Sequence, residues 1–235
     1  MPTGREILER ASVLLLDEDH VRWPLAELCS WINEGVKAIV LAKPSASSAT
    51  IVIPLVAGTL QSVPATGTPT PLILQNISAN VRSQTPTRLL GRAITVIGRT
   101  ILDAEVPNWH DTRYSPFKKD VRHYVYDEAA PLEFFCYPGN TGDGFVQGLV
   151  STLPTKLEAT GDVKLPASYE GPVGLPEPYS DPLLDYVLYR AQMKDDLAGG
   201  PGRSAMHYQQ FATAVGLKIQ IEGSTSPNAR RGGAK

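Results

Sequence analysis

The sequence predicts an α+β fold in which N- and C-terminal α-hairpins pack as a helical bundle, with a central antiparallel β-rich lobe and an extended C-terminal arm. Three observations support this prediction. Apolar residues recur with a helical period in residues 1–44 and again in residues 176–216. Residues 45–175 instead contain short β-branched runs separated by turn residues, and residues 217–235 end in a nearly apolar-free basic stretch. We therefore expect four segments with these boundaries.

The N-terminal hairpin is marked by clear start and stop signals. Thr3 to Glu6 has the spacing of a capping box, in which Thr3 and Glu6 satisfy each other's backbone amides. The first helix then carries one apolar stripe, formed by Ile7, Leu8, Ala11, Leu14 and Leu15. Pro24 suits the first turn of a second helix, which should end where Lys43 precedes Pro44.

The central lobe reads as a turn-rich antiparallel sheet. Pro54 indicates that the first strand either lies at an edge or contains a bulge. A short helix is expected near residue 101, ending before Pro107, and residues 123–137 have the pattern of a hairpin. The glycine-rich residues 139–144 are expected to form a turn. The strand candidates are residues 51–56, 72–77, 93–97, 123–126, 132–137 and 145–150.

The C-terminal hairpin should begin at Asp181 and Pro182, break at Gly199–Gly202, and end where Gly216 caps its last helix. Residues 218–222 then alternate between polar and apolar side chains, a pattern typical of a strand added to a partner's sheet. Two interpretations of the arm remain open, namely solvated disorder and a segment that becomes ordered against a partner.

Composition excludes several classes of protein. The 235 residues include 22 Lys and Arg against 24 Asp and Glu, so the net charge of −2 gives no overall attraction to nucleic acid or anionic membranes. Cys29 and Cys136 are expected to be buried thiols rather than a disulfide. We see neither a signal-peptide pattern nor an apolar run long enough for a membrane span, so a soluble protein made in a cytoplasm is expected.

The candidates for chemistry are weak. His20, His110, His123 and His207 lack the spacing of metal ligands. Trp109, His110 and Asp111 with Ser115 would make a triad, but no nucleophile-elbow motif accompanies them. Residues 17–19 resemble the start of a calcium-binding loop. The match fails, however, because Arg22 and Leu28 occupy the positions where such a loop needs Gly and Glu. We therefore expect no catalytic, cofactor-binding or metal-binding residues, and no cofactor.

Four stretches of the chain carry a resemblance to a known family. They are residues 10–18 with 21–25, residues 91–94 through 101–103 to 107–110, residues 123–128, and residues 181–191 with 205–208. Their order and spacing resemble the head-to-tail adaptors of tailed bacteriophages, also called connector or head-completion proteins. This resemblance extends over residues 10–208, nearly the whole chain, although the pattern of residues 70–88 departs from it.

The resemblance implies a structural virion protein without an active site. It implies a homo-oligomeric ring of twelve copies that binds the portal protein on one side and a tail or nozzle protein on the other. Genomic DNA would pass through the lumen without sequence-specific binding. The protein would lie in the neck of the virion, after assembly in the host cytoplasm. The arm would contact the portal, with Lys218, Ile219, Ile221, Arg230, Arg231 and Lys235 as the candidate contact residues.

Three other functions stay open at this point. A tail tubular or tail-completion protein would share the same structural character. A nucleic-acid-binding module would use the basic tail and the aromatic hairpin, although core packing explains that hairpin more simply. A hydrolase would act through His110 and Asp111.

Overall fold

The computed structural model describes residues 1–65, 69–194 and 200–225. The chain divides into two compact units, which we call the helical unit (Met1–Ser47 with Pro154–Lys235) and the β unit (Ser48–Leu153). The helices are α1 (Gly4–Leu15), α2 (Leu25–Ala42), α3 (Arg99–Glu105), α4 (Ser180–Lys194) and α5 (Gly200–Thr225), of which α3 belongs to the β unit. An α+β architecture is thereby confirmed.

The start of α1 is the capping box that the sequence predicts. The Glu6 amide donates to the Thr3 hydroxyl, and the Thr3 amide donates to the Glu6 carboxylate at 2.9 Å. Four of the predicted stripe residues are buried, but Leu14 lies on the last turn at the margin of the stripe and is exposed. Pro24 precedes α2 as its cap, one position before the predicted place.

The helices of the helical unit meet on α4, which contacts α1, α2 and α5. Gly35 lets α2 approach α4 closely, because a Cβ atom at this position would lie 2.6 Å from Leu183 Cδ1. Trp23 is buried at the other end of the same contact, and its indole N–H donates to the Ala191 carbonyl at 3.3 Å.

Residues 154–175 belong to the helical unit, whereas the sequence places them in the β lobe. The reason is a side-chain clamp on α2. The Asn33 amide donates to the Leu157 carbonyl at 2.9 Å, and its carbonyl accepts the Leu157 amide at 2.9 Å. Apolar side chains of the same segment then fill the core of this unit, namely Leu157, Tyr169, Val173 and Leu175.

The prediction that the last helix ends at Gly216 is wrong. The helix continues through Gly216 to Thr225, so Lys218, Ile219 and Ile221 lie on helical backbone rather than in an extended arm. Glycine costs a helix only about 1 kcal/mol relative to alanine, and the next proline is Pro227, so Gly216 alone does not end it. The remaining arm residues, Arg230, Arg231 and Lys235, lie outside the described residues.

The β unit contains two four-stranded sheets. Their strand orders are β1-β8-β3-β4 and β2-β7-β6-β5. Side chains from both sheets share one hydrophobic core. The strands are β1 (Ser48–Pro54), β2 (Ala57–Ser62), β3 (Thr70–Ser83), β4 (Leu89–Ala93), β5 (Thr95–Val96), β6 (His123–Tyr126), β7 (Glu133–Thr141) and β8 (Phe145–Leu153).

The predicted edge position of Pro54 is confirmed, because β1 lies at one edge of its sheet. The predicted hairpin is also confirmed as the antiparallel pair β6–β7, in which Tyr124 faces Cys136. A purely antiparallel lobe is wrong, since β5 and β6 pair in parallel. Parallel neighbours need a long crossover, and here the connection between Val96 and His123 supplies one that contains α3.

The turn predicted at residues 139–144 is shorter in the structure, because β7 continues to Thr141. Asn140 holds this turn and is fully buried. Its amide donates to the carbonyls of Lys118 and Lys119, at 3.2 and 2.8 Å. Its carbonyl accepts the amides of Gly142 and Gly144, at 2.8 and 3.2 Å. One side chain thus joins the β7–β8 turn to the loop that precedes β6.

We predict that Asn140→Ala lowers the free energy of unfolding by about 3 kcal/mol, because four backbone groups lose their partner in a buried site. Urea denaturation would measure the loss. The matched control is Asn108→Ala, which removes an exposed asparagine and should change stability by no more than about 0.5 kcal/mol. Equal effects of the two substitutions would contradict the clamp.

Candidate functional site

The residues of the hypothetical triad are not assembled for catalysis. His110 Nδ1 lies 2.7 Å from the Thr59 hydroxyl, and the Asp111 carboxylate pairs with Arg113 at 2.7 Å. Burial and the nearby Arg99 lower the pKa of His110, while hydrogen bonds from Arg113 lower the pKa of Asp111. Among the described residues, no side-chain hydrogen bond joins His110 to Asp111 or Ser115.

The other three histidines also have local partners. His20 lies 3.2 Å from the Ser12 hydroxyl, His123 lies 2.7 Å from the Thr95 hydroxyl, and His207 lies 3.0 Å from the Asp185 carboxylate. Each contact ties two neighbouring elements together. Within the described ranges, no three His, Cys, Asp or Glu side chains come close enough to hold a metal ion.

Cys29 and Cys136 are free, buried thiols, as the sequence predicts. Burial raises the pKa of each to about 11, so both are protonated at neutral pH. The aromatic hairpin is also packed rather than presented as a platform. Tyr124 and Phe134 lie in the core, and the ring of Phe135 meets Trp109 edge-on at 5.9 Å.

The helical unit carries an exposed apolar surface where α1 ends, which we call the α1-end patch: Val13, Leu14, Leu16 and Val21. Leu16 and Val21 are 91% and 82% exposed. Leu16 has a left-handed backbone with φ of 55°, a conformation that costs a residue with a Cβ about 1–2 kcal/mol. An apolar side chain held exposed in this way contributes nothing to the core of its own chain.

The α1–α2 loop that presents this patch is fixed by one carboxylate. Asp17 accepts the amides of Val21, Arg22 and Trp23, at 3.0, 3.0 and 2.8 Å. Burial opposes its ionisation, yet these three hydrogen bonds lower the pKa of Asp17 below its usual value. Asp17 therefore holds the loop that carries Leu16 and Val21 of the α1-end patch.

The second exposed surface lies on α5. Residues 204–217 contain no Asp, Glu, Lys or Arg, which is unusual for a helix with so many exposed positions. One side of the helix buries Ser204, Phe211 and Val215. A second set shares another side through its helical spacing and is exposed; we call it the α5 face: Ala205, Met206, Gln209, Ala212 and Thr213.

The α5 face is held in place by aromatic contacts with α4. Tyr189 and Tyr208 have ring centroids 5.0 Å apart, and those of Tyr186 and Phe211 are 5.2 Å apart. A groove of about 580 Å³ runs along the exposed side, lined by Asp185, Met206, Gln209, Gln210, Thr213 and Ala214. Depletion of charge together with exposed Met is typical of the central part of protein interfaces.

The sequence does not single out either surface as a site. The predicted contact residues Lys218, Ile219 and Ile221 instead follow the α5 face along the same helix. A usable signal was present, because the charge-free run of residues 204–217 is visible in the sequence. What the sequence could not give is the side of the helix that α4 leaves uncovered.

Comparison with known proteins identifies the family to which the chain belongs. The family model described as SU10 adaptor protein matches residues 2–231, nearly the whole chain. This match confirms the resemblance to head-to-tail adaptors that the sequence motifs indicate. No curated protein matches the chain. None of the described helices has the length and apolar character that a membrane span requires. The chain therefore belongs to the SU10 adaptor protein family, a family of structural adaptors rather than of enzymes.

Proposed function

We propose that this protein is a head-to-tail adaptor that forms a ring beneath the portal of a tailed phage and links the capsid vertex to the tail. Membership of the adaptor family supports the proposal. The observation that carries it is the pair of uncovered surfaces on the helical unit, the α1-end patch and the α5 face. The adaptor would lie in the neck of the virion and assemble in the host cytoplasm.

A ring places two requirements on its subunit. Each copy needs two different surfaces that fit one another, because a closed ring is built from head-to-tail contacts. The α1-end patch is a small apolar projection, and the α5 face is a charge-free helix surface beside a groove. We therefore assign the contact between neighbouring copies to these two surfaces, with the patch of one copy seated on the α5 face of the next.

The residues that follow the α5 face are suited to a second contact. At 1.5 Å per residue, the 26 residues of α5 extend about 39 Å, whereas the 15 residues of α4 extend about 22 Å. Part of α5 therefore extends beyond the helix that it packs against. We assign this part and the basic residues after it to portal binding, with Lys218, Ile219, Ile221, Arg230, Arg231 and Lys235 as contacts.

We predict that Ala212→Glu prevents ring formation, because it places a charge in the centre of the α5 face. The unaltered protein mixed with portal should give a ring-sized complex by size-exclusion chromatography with light scattering, and the variant should not. The matched control is Ala104→Glu, at an exposed position of α3 in the β unit, which should assemble normally. Unchanged thermal unfolding of both variants would exclude misfolding as the cause.

The head-to-tail geometry has a test of its own. Val13→Glu should also block the ring by disabling the α1-end patch. Each of the two variants keeps one working surface, so an equimolar mixture of Val13→Glu and Ala212→Glu should form heterodimers and nothing larger. A mixture that stays monomeric, or that forms full rings, would contradict the assigned contact.

A tail-completion protein would differ from a head-to-tail adaptor in the protein that its C-terminal residues bind, not in its fold. If the C-terminal residues bind the portal, amine-reactive crosslinking of assembled particles should join Lys218 and Lys235 to portal protein. Lys164, in the segment before α4, serves as the comparison lysine. Crosslinks from Lys218 and Lys235 to tail proteins alone would favour the alternative.

The linking role predicts a defined assembly defect. Particles made without this protein should be heads that lack tails, because the capsid vertex has nothing to which the tail attaches. Electron microscopy of purified particles would reveal them. Tailed particles that are normal in number and shape in its absence would contradict the adaptor role.

A further inference from the structure

We infer that a small cavity in the β unit binds a phosphate group, either free phosphate or a phosphodiester of nucleic acid. The cavity has a volume of about 170 Å³ and lies between the segment after α3 and the middle of β7. Its lining consists of Val106, Tyr114, Ser115, Pro116, Lys118, Arg122, Tyr137 and Pro138. This inference does not depend on the proposed ring.

The lining has the chemistry of an anion site. The lining residues carry an ammonium (Lys118), a guanidinium (Arg122) and three hydroxyls (Tyr114, Ser115 and Tyr137), and none of them carries a carboxylate. Tetrahedral oxyanions accept hydrogen bonds from such groups, and a guanidinium matches two of their oxygens at once. The polar lining therefore favours a ligand that is negatively charged and rich in acceptors.

Lys118 and Arg122 differ from the basic residues next to them in that they have no carboxylate partner among the described residues. Lys119 pairs with Asp143 at 3.5 Å, and Arg113 pairs with Asp111 at 2.7 Å. Within the described part of the chain, neither Lys118 nor Arg122 forms an ion pair. Two like charges that face one cavity repel each other, and a bound anion would remove that repulsion.

The backbone that carries these cations is rigidly held. The Lys118 amide donates to the Gly139 carbonyl at 2.8 Å, and the Arg122 amide donates to the Tyr137 carbonyl at 2.9 Å. Two buried side chains bind the same loop. The Asn80 side-chain carbonyl accepts the Val121 amide, and the Asn140 side-chain amide donates to the Lys118 carbonyl. Binding therefore needs only the two long side chains to become ordered, which lowers its entropic cost.

The volume limits the size of the ligand. The cavity measures about 170 Å³, whereas one water molecule has a share of about 30 Å³ in the liquid. Pockets for whole drug-sized molecules measure about 300–1,000 Å³. The cavity is therefore suited to a single hydrated oxyanion, and a nucleic acid would contribute one phosphate while its bases and sugars remain outside.

An anion site does not require the β unit as a whole to carry a positive net charge. The β unit contains eight basic and eight acidic residues, so it has no net charge to attract anions in general. Binding there would be local and set by Lys118 and Arg122. Phosphate affinity should consequently depend on these two residues and be indifferent to removal of other cations.

The experiment uses the full chain and sodium phosphate, with sodium chloride at equal ionic strength as the reference. Phosphate should raise the melting temperature in a saturable manner. In the Lys118→Gln/Arg122→Gln variant the affinity should fall by about tenfold or more. The matched control is Lys119→Gln/Arg113→Gln, which removes two neighbouring cations outside the lining and should retain the effect.

A second arm separates the two sources of phosphate. Fluorescence anisotropy would measure binding of a labelled duplex of random sequence to the same three proteins, namely the unaltered chain and the two double variants. Loss of duplex binding in the Lys118→Gln/Arg122→Gln variant alone, with competition by free phosphate, identifies a phosphodiester ligand. Saturable phosphate binding without duplex binding identifies free phosphate. An equal response to phosphate in both double variants would overturn the site, because a general salt effect does not distinguish them.

Discussion

Buried and half-buried side-chain amides hold together the parts of this chain that lack regular backbone pairing. With 20 glycines and 20 prolines, the chain is interrupted often, and many backbone groups cannot find partners in helices or sheets. Each of these amides both donates to and accepts from main-chain groups, as a neighbouring strand would. They are Asn33, Gln61, Asn80 and Asn140. Without them, the main-chain groups that they bind around residues 56–58, 120, 142 and 157 would lose these hydrogen-bond partners.

The same device prepares the surfaces that we assign to binding. Asp17 holds the α1–α2 loop through three amides, and Asn80 with Asn140 holds the loop that carries Lys118. A loop that is already ordered loses little conformational entropy when it binds. For the head-to-tail adaptor that we propose, this order means that contacts with partners do not have to form together with the fold.

Local signals in the sequence predict local structure well. The capping box at Thr3 and the edge position of Pro54 need only the neighbouring residues, and both are confirmed. The sequence is insufficient where distant contacts decide. β2 contains Gly58 and lacks a β-branched run, so its pairing with β7 is not visible locally. Asn33 draws residues 154–175 to the helices over more than a hundred residues. The cavity beside Lys118 likewise depends on β7, which follows it in the chain.

The two proposed modes of binding rest on different physical forces and lie in different units. The exposed surfaces of the helical unit are apolar or uncharged, so association there would depend on buried area and would change little with salt. The cavity of the β unit would depend on two cations and would weaken as salt screens them. A ring would multiply a weak phosphate contact by its number of copies. Because the charges of Lys118 and Arg122 are balanced elsewhere in the chain, a net charge of −2 is compatible with local anion binding.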